Sequence, residues 1–244
     1  MLSALLALAA IHQTYAHNRL RVSLIFPTAS APNPFKLAPG LRRSRADLDY
    51  VERGSIGENR AGKTRSADRA GGERCGMSPE EFAKFYPPLI DWIRNTLTAS
   101  APVAQTVASR GFLRLPLYFT QKALASAKVV LVDPLPIPPL SSMGLARFAD
   151  FERGSFDGIT YLDTFFLKPT RSNNEKMHFH ELVHVIQWRL LGPDRFLFLY
   201  ANGLECFGYR QSPLEAMAYD AEAAFASSTA IFNVEKMVAE KLEL

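Results

Sequence analysis

Between residues 173 and 188 the chain reads NNEKMHFHELVHVIQW, a stretch that holds three of its five histidines. His180 and His184 stand four apart. On a helix that spacing puts them one turn above each other on the same face, where two imidazole nitrogens can reach one cation at about 2.0–2.1 Å. Glu181 projects one position round, placed to take a proton from a water activated by that cation rather than to bind the cation itself. Leu182, Val183, Val185 and Ile186 make the rest of this helix apolar. Two imidazoles left without partners in such a helix would be costly, and a metal satisfies both. The competing reading is a pair of core histidines hydrogen-bonded to carbonyls, with Glu181 at the surface.

A third ligand separates the two readings. No histidine follows His184, so the candidates are the carboxylates Asp194, Glu205, Glu215, Asp220 and Glu222. Asp194 falls in the first turn of a following helix, where an acid is favoured by the helix dipole alone. Glu205, in GLECFGY, belongs to a loop or a helix end. Glu215 is the better choice. In QSPLEAMAYDAEAAF, Ser212 and Pro213 supply a cap and a first helical position. Glu215 then enters a face rich in Ala, Met and Phe with no Lys or Arg nearby, where a carboxylate needs a cation. Its alternative is the ordinary acid of a first turn. Tyr209, Arg210 and Tyr219 are candidates for the donor that a developing oxyanion requires, Tyr209 first among them. His178, two residues before His180, points to another side and reads as a polar residue of the first turn. Trp188 reads as core, and Arg189 as a cation near the helix C-terminus.

Taken together, HELVH, GYR and PLEAMAY resemble the glutamate-type zincin metallopeptidases, and more closely the compact bacterial zincin-like domains, over about residues 158 to 225. The resemblance implies Zn2+ held by His180, His184 and Glu215, with Glu181 as catalytic base. It further implies a peptide or protein substrate lying extended along a strand edge, for which GITYLDTFFL is the candidate. Many larger members carry an acid four residues after the ligand glutamate to orient a histidine. Here that position is Tyr219, which leaves Asp220 or Glu222 for the task. A catalytically silent binding or scaffold domain built on the same ligands is the alternative. Glu181 argues against it, because a structural site needs no base and closes with four protein ligands. A third reading, a secreted processing enzyme restrained by its leader, would use the same site.

The elements that must position these residues follow from punctuation and periodicity. Ser78, Pro79 and Glu81 form a capping box, so a domain is expected from residue 77 to 244. Residues 1–76 read as a disordered leader with a Pro-rich patch and an Arg-rich stretch. Met77, immediately before the cap, is an alternative start. Helices are expected at 79–85 and, after a break at Pro87-Pro88, to about Leu97, then over 101–109, 213–228 and 231–242, the last with Asn233 as a weak point. Ser172 and Glu175 form the capping box of the histidine helix, and Gly192-Pro193 ends it and starts the next. AKVVLVD and GITYLDTFFLKP each read as one strand. The expected fold class is α+β, mostly helical, a zincin-like domain with a small sheet packed on the HELVH helix.

The formal charge of +4 sits in the leader: residues 36–75 hold ten Lys or Arg against six Asp or Glu, whereas residues 76–244 hold sixteen against eighteen. A basic segment interleaved with acids and nearly free of aromatics is a solvated leader, not a nucleic-acid arm. Two cysteines fall short of a disulfide framework and are compatible with a reducing compartment. No run approaches the ~20 apolar residues of a membrane span. MLSALLALAAI lacks a preceding cation and a good cleavage site, so a cytoplasmic location is favoured over secretion.

Overall fold

A computed structural model of the protein describes residues 75–227 and 230–244. The expected leader lies outside the described residues except for Cys75 and Gly76. These two are anchored: Cys75 is disulfide-bonded to Cys206 with a Cα–Cα separation of 5.6 Å. The two cysteines, too few for a disulfide framework, therefore form a single long-range tie. Spacing in sequence carries no information about a pair 131 residues apart.

Helix α1 spans Pro79–Ser100, opened by the Ser78 side chain, which accepts from the Glu81 N–H at 3.1 Å. The expected break at Pro87-Pro88 does not occur. Each proline removes a donor, but Ala83, Lys84 and the prolines themselves are exposed, so the freed carbonyls of the preceding turn meet water. The opposite face, with Phe82, Leu89, Ile90 and Ile93 buried, holds the helix to the core. The helix expected at 101–109 is instead two 3-10 turns flanking strand β1, Gln105–Thr106, which pairs antiparallel with β2. Cross-strand pairing has overridden a helical pattern that had no face to bury.

After the short helix α2 (Gln121–Ser126), strand β2 (Lys128–Leu131) is the expected apolar run. Helix α3 (Ala149–Glu152) lies in the connection that follows. GITYLDTFFL is a hairpin rather than one strand: β3 is Gly158–Tyr161, β4 is Thr164–Leu167, and Leu162 turns the chain at φ 56°. A leucine in the left-handed region is uncommon, and no glycine marks the turn. The sheet order is β1-β2-β4-β3, with β2 parallel to β4 and the outer pairs antiparallel, so β3 is a terminal strand.

Helix α4, Glu175–Leu191, carries the histidines across the sheet. Its cap is Asn174, whose side chain accepts from the Met177 N–H at 3.1 Å, rather than Ser172. Glu175, assigned to the capping box, instead accepts from the Arg114 and Leu115 N–H groups. Twelve of the helix's seventeen residues are buried, so it runs through the core with hardly a solvent face. On one side Phe179, Leu182 and Ile186 join a core with Phe225 and Val234, where Phe179 stacks on Phe225 at 4.4 Å. On the other, Trp188 stacks on Phe196 at 3.9 Å within a second core shared with α1. Helices α5 (Pro193–Phe207), α6 (Pro213–Ser227) and α7 (Val234–Lys241) complete the chain. Asn233 is the N-cap of α7, accepting from the Lys236 N–H. The molecule is thus α+β and mostly helical, with a small mixed sheet against the HELVH helix. No described helix is long and apolar enough to cross a membrane.

Candidate metal centre

Helix α6 packs along α4 and brings the first-turn carboxylate of Glu215 against the two histidines. Nε2 of His180 lies 3.2 Å from Nε2 of His184, and these nitrogens lie 3.6 and 3.5 Å from the two oxygens of Glu215. Ligand atoms about 2.0–2.2 Å from one tetrahedral cation stand roughly 3.3–3.5 Å apart, so the triangle has the size of a tetrahedral face. All three residues are buried.

The far side of each imidazole decides what this triangle needs. His184 Nδ1 is 2.8 Å from Gln187 Oε1, and the Gln187 amide is itself oriented by donating to the Leu214 carbonyl at 2.9 Å. An amide oxygen only accepts, so Nδ1 carries the proton and Nε2 is a lone pair. His180 Nδ1 is 2.8 Å from Glu222 Oε2, an ion-pair distance at which the ring N–H is not well aligned for a hydrogen bond, and the carboxylate beside it favours a proton on that nitrogen. Two lone pairs and a carboxylate then face one another out of contact with solvent, and Glu215 Oε2 has no hydrogen-bond partner among the described residues. Burial alone would lower the His180 pKa, but Glu215, Glu222 and the charge of Glu181 push it up to about 10. With only protein atoms in the cluster, His180 takes a proton; a divalent cation on the three ligand atoms does the same for both rings at once. The donor set, its spacing and the orphaned oxygen fit such an ion.

Glu181 is 3 % exposed and faces the sheet rather than solvent. Its Oε2 accepts from Thr160 Oγ1 of β3 at 2.6 Å, and its Oε1 comes so close to Gly158 that a Cβ there would collide with it. Burial raises its pKa, against the opposing pull of His180 and His184. The surface glutamate of the competing reading is not what the fold contains.

Among the carboxylates, only Glu215 joins the histidines. Asp194 and Asp220 are exposed, and Glu205 pairs with Arg147 at 3.1 Å. Glu222, rather than Asp220, lies against His180, and Lys176 holds it from the other side at 2.8 Å. Tyr209 lines the same cavity as Glu181 and Glu215, its ring among Phe151 and Phe156. Burial, then the charge of Glu215, raises its pKa, so it keeps its proton and is a donor. Tyr219 lies 4.6 Å from the His180 ring with the Arg210 guanidinium over its outer face.

Two functional residues escape the sequence reading. Tyr200 donates to Glu215 Oε1 at 2.7 Å, but within FLFLYANG it looks like one more apolar position. Gln187 is fully buried, three residues beyond His184 on the same helix; a polar residue at that spacing in an apolar run is the signal that could have found it. His178 is also fully buried, 2.9 Å from the Ser172 carbonyl and beside Phe112 and Phe165. It is a core histidine, apart from the cluster.

Comparison of the chain with protein-family models, with curated proteins and with solved structures finds no match.

Proposed function

We propose that the chain is a zinc-dependent peptidase of the glutamate zincin type. The reading is carried by one observation: His180, His184 and Glu215 converge as three buried acceptors at 3.2–3.6 Å, with a buried, unligated carboxylate, Glu181, beside them. In this reading the three residues hold Zn2+, which when bound supplies a Lewis acid and lowers the pKa of a water toward about 7. Glu181 would accept a proton from the water whose oxygen adds to the scissile carbonyl and deliver it to the amine that leaves as the C–N bond breaks. Burial raises the pKa of Glu181, which favours holding the proton until it is released, and Thr160 fixes one of its oxygens. Tyr209 keeps its hydroxyl proton and donates to the oxyanion; Tyr200 anchors the ligand carboxylate. The terminal strand β3, which carries Thr160, is the edge along which an extended peptide would pair. The Cys75–Cys206 disulfide supports an oxidising location, the alternative to the cytoplasmic expectation.

The test is metal content by elemental analysis together with cleavage of a peptide library by the wild type and Glu181→Gln. One equivalent of zinc in both, with cleavage reduced on the order of 10²- to 10⁴-fold in the variant, is expected. Equal activity would remove Glu181 from the mechanism. A zinc-loaded wild type that cleaves nothing would favour the scaffold reading.

A further inference from the structure

Beside the His180–His184–Glu215 cluster lies a partly open cavity of about 100 Å³. One wall carries Glu181, His184 and Glu215. The others belong to elements remote from these in sequence: Phe82, Leu89 and Ile93 along one face of α1, and Phe156, Phe196 and Leu197 opposite them. Among the described residues, the carboxylates in the lining are Glu181 and Glu215, both at the cluster end, and no Lys, Arg or Asp lines it. Elsewhere the wall is aromatic and aliphatic apart from Thr160 and tyrosine hydroxyls, of which that of Tyr161 is committed to the Pro136 carbonyl at 2.8 Å and that of Tyr200 to Glu215.

We propose that this cavity receives one bulky uncharged side chain, aromatic or branched aliphatic, from the residue flanking the scissile bond of a peptide, and that α1 sets the size it accepts. The proposal rests on the peptidase reading of the adjoining site. Chemistry excludes a charged occupant, because a Lys or Glu side chain placed there would lose its water and meet no partner at the far wall. Volume sets the upper limit. An engineered apolar cavity of about 150 Å³ holds benzene, whereas pockets that enclose whole drug-sized ligands run to about 300–1,000 Å³. At this size the cavity takes a single side chain and not a long acyl chain. Met77 and Phe82 close it at the N-terminal end, and the disulfide two residues before Met77 holds that end on α5. The helix that starts the domain thus determines what the HELVH helix is offered.

The experiment measures binding separately from cleavage. The full-length zinc-loaded protein is titrated calorimetrically with acetohydroxamate, 3-phenylpropanohydroxamate, 3-(2-naphthyl)propanohydroxamate, 6-aminohexanohydroxamate and dodecanohydroxamate. The same protein is given peptides that differ only in Ala, Leu, Phe, Lys or Glu at the residues flanking one bond. The phenyl compound is expected to bind about 10- to 100-fold more tightly than the acetyl one, with the amino compound no better than acetyl and the dodecyl compound weaker than phenyl. Leu and Phe peptides should be cleaved faster than Ala by a similar factor, with Lys and Glu slowest. Phe82→Ala, and the milder Phe82→Leu should the first fail to fold, should each move the preference from phenyl to naphthyl while zinc stays at one equivalent. Ranked binding without cleavage defeats the peptidase reading and, with it, the assignment of the occupant to a residue beside a scissile bond, leaving an apolar binding cavity. Cleavage or binding without this ranking defeats the cavity proposal alone. Tightest binding of the dodecyl compound would make the occupant a lipid chain and overturn the assignment to a side chain, and an unmoved preference in both Phe82 variants would overturn the role of α1.

Discussion

Glu222 and Gln187 each stand behind one histidine of the cluster: Gln187 accepts from His184 Nδ1 and so fixes its proton, and the Glu222 carboxylate, at 2.8 Å, favours a proton on His180 Nδ1. Removing either partner frees the ring to rotate and to take the wrong tautomer. Glu222→Ala and Gln187→Leu are therefore each expected to weaken zinc binding about 10- to 100-fold, read by competition with a chromogenic chelator. Glu215→Ala should cost at least as much, since it removes a ligand, while Glu205→Ala should leave affinity unchanged because Glu205 serves only the Arg147 pair. The reverse ranking of the two glutamates would mean a different third ligand. Gly158→Ala presents another case: the added methyl group collides with Glu181 Oε1, so zinc should be retained and turnover lost. Retained turnover would show that the carboxylate moves freely. The sequence was informative here in proportion to how local the relation was. His180, Glu181 and His184 lie within five residues, and helix periodicity alone makes them neighbours. Glu215 could be found only because an acid in an apolar helix face demands a partner. Tyr200 sends no such signal, because a tyrosine satisfied by its hydroxyl and an apolar tyrosine look alike in sequence.

Secondary-structure elements were read well where they end on side-chain chemistry and poorly where pairing decides. The cap of α1 and the boundaries of α6 came from Ser, Pro and hydrophobic spacing, and they stand. The hairpin β3–β4 was read as one strand because its turn carries Leu162 and Asp163 instead of glycine, and α1 was cut in two because its prolines lie on an exposed face where they do little harm. At the start of α4 two capping residues compete, and the geometry selects Asn174 over Ser172. Asn174→Ala should destabilise the fold by about 1 kcal/mol, and Ser172→Ala by much less, since Ser172 contributes its backbone carbonyl to His178 and Arg110 rather than its hydroxyl. Urea denaturation of the two variants separates these cases; equal losses would return the cap to Ser172. Within α4, Phe179→Ala removes a fully buried ring packed against Tyr118, Phe119 and Phe225, and is expected to cost about 3–5 kcal/mol by the same measurement.

On the scale of the whole molecule, the disulfide joins Cys75, four residues ahead of α1, to the end of α5. Restricting the unfolded chain over so long a loop stabilises a fold by about 2 to 4 kcal/mol, so reduction should lower the thermal midpoint markedly, and Cys206→Ser should reproduce that shift without further change on adding a reductant. An additional shift in the variant would point to effects of reductant other than breaking this bond. The same bond also makes residues 75 to 206 a covalent ring, inside which lie α1, the sheet and both histidines, while Glu215 lies on the free arm beyond it. A protease that cuts after the exposed Arg153 would open the ring without releasing anything, because each piece retains one of the two cysteines. Under non-reducing electrophoresis the nicked chain would migrate near the intact one, and only with thiol present would two fragments separate, so an apparently protease-resistant preparation can already be cut between α1 and the helix that bears His180 and His184.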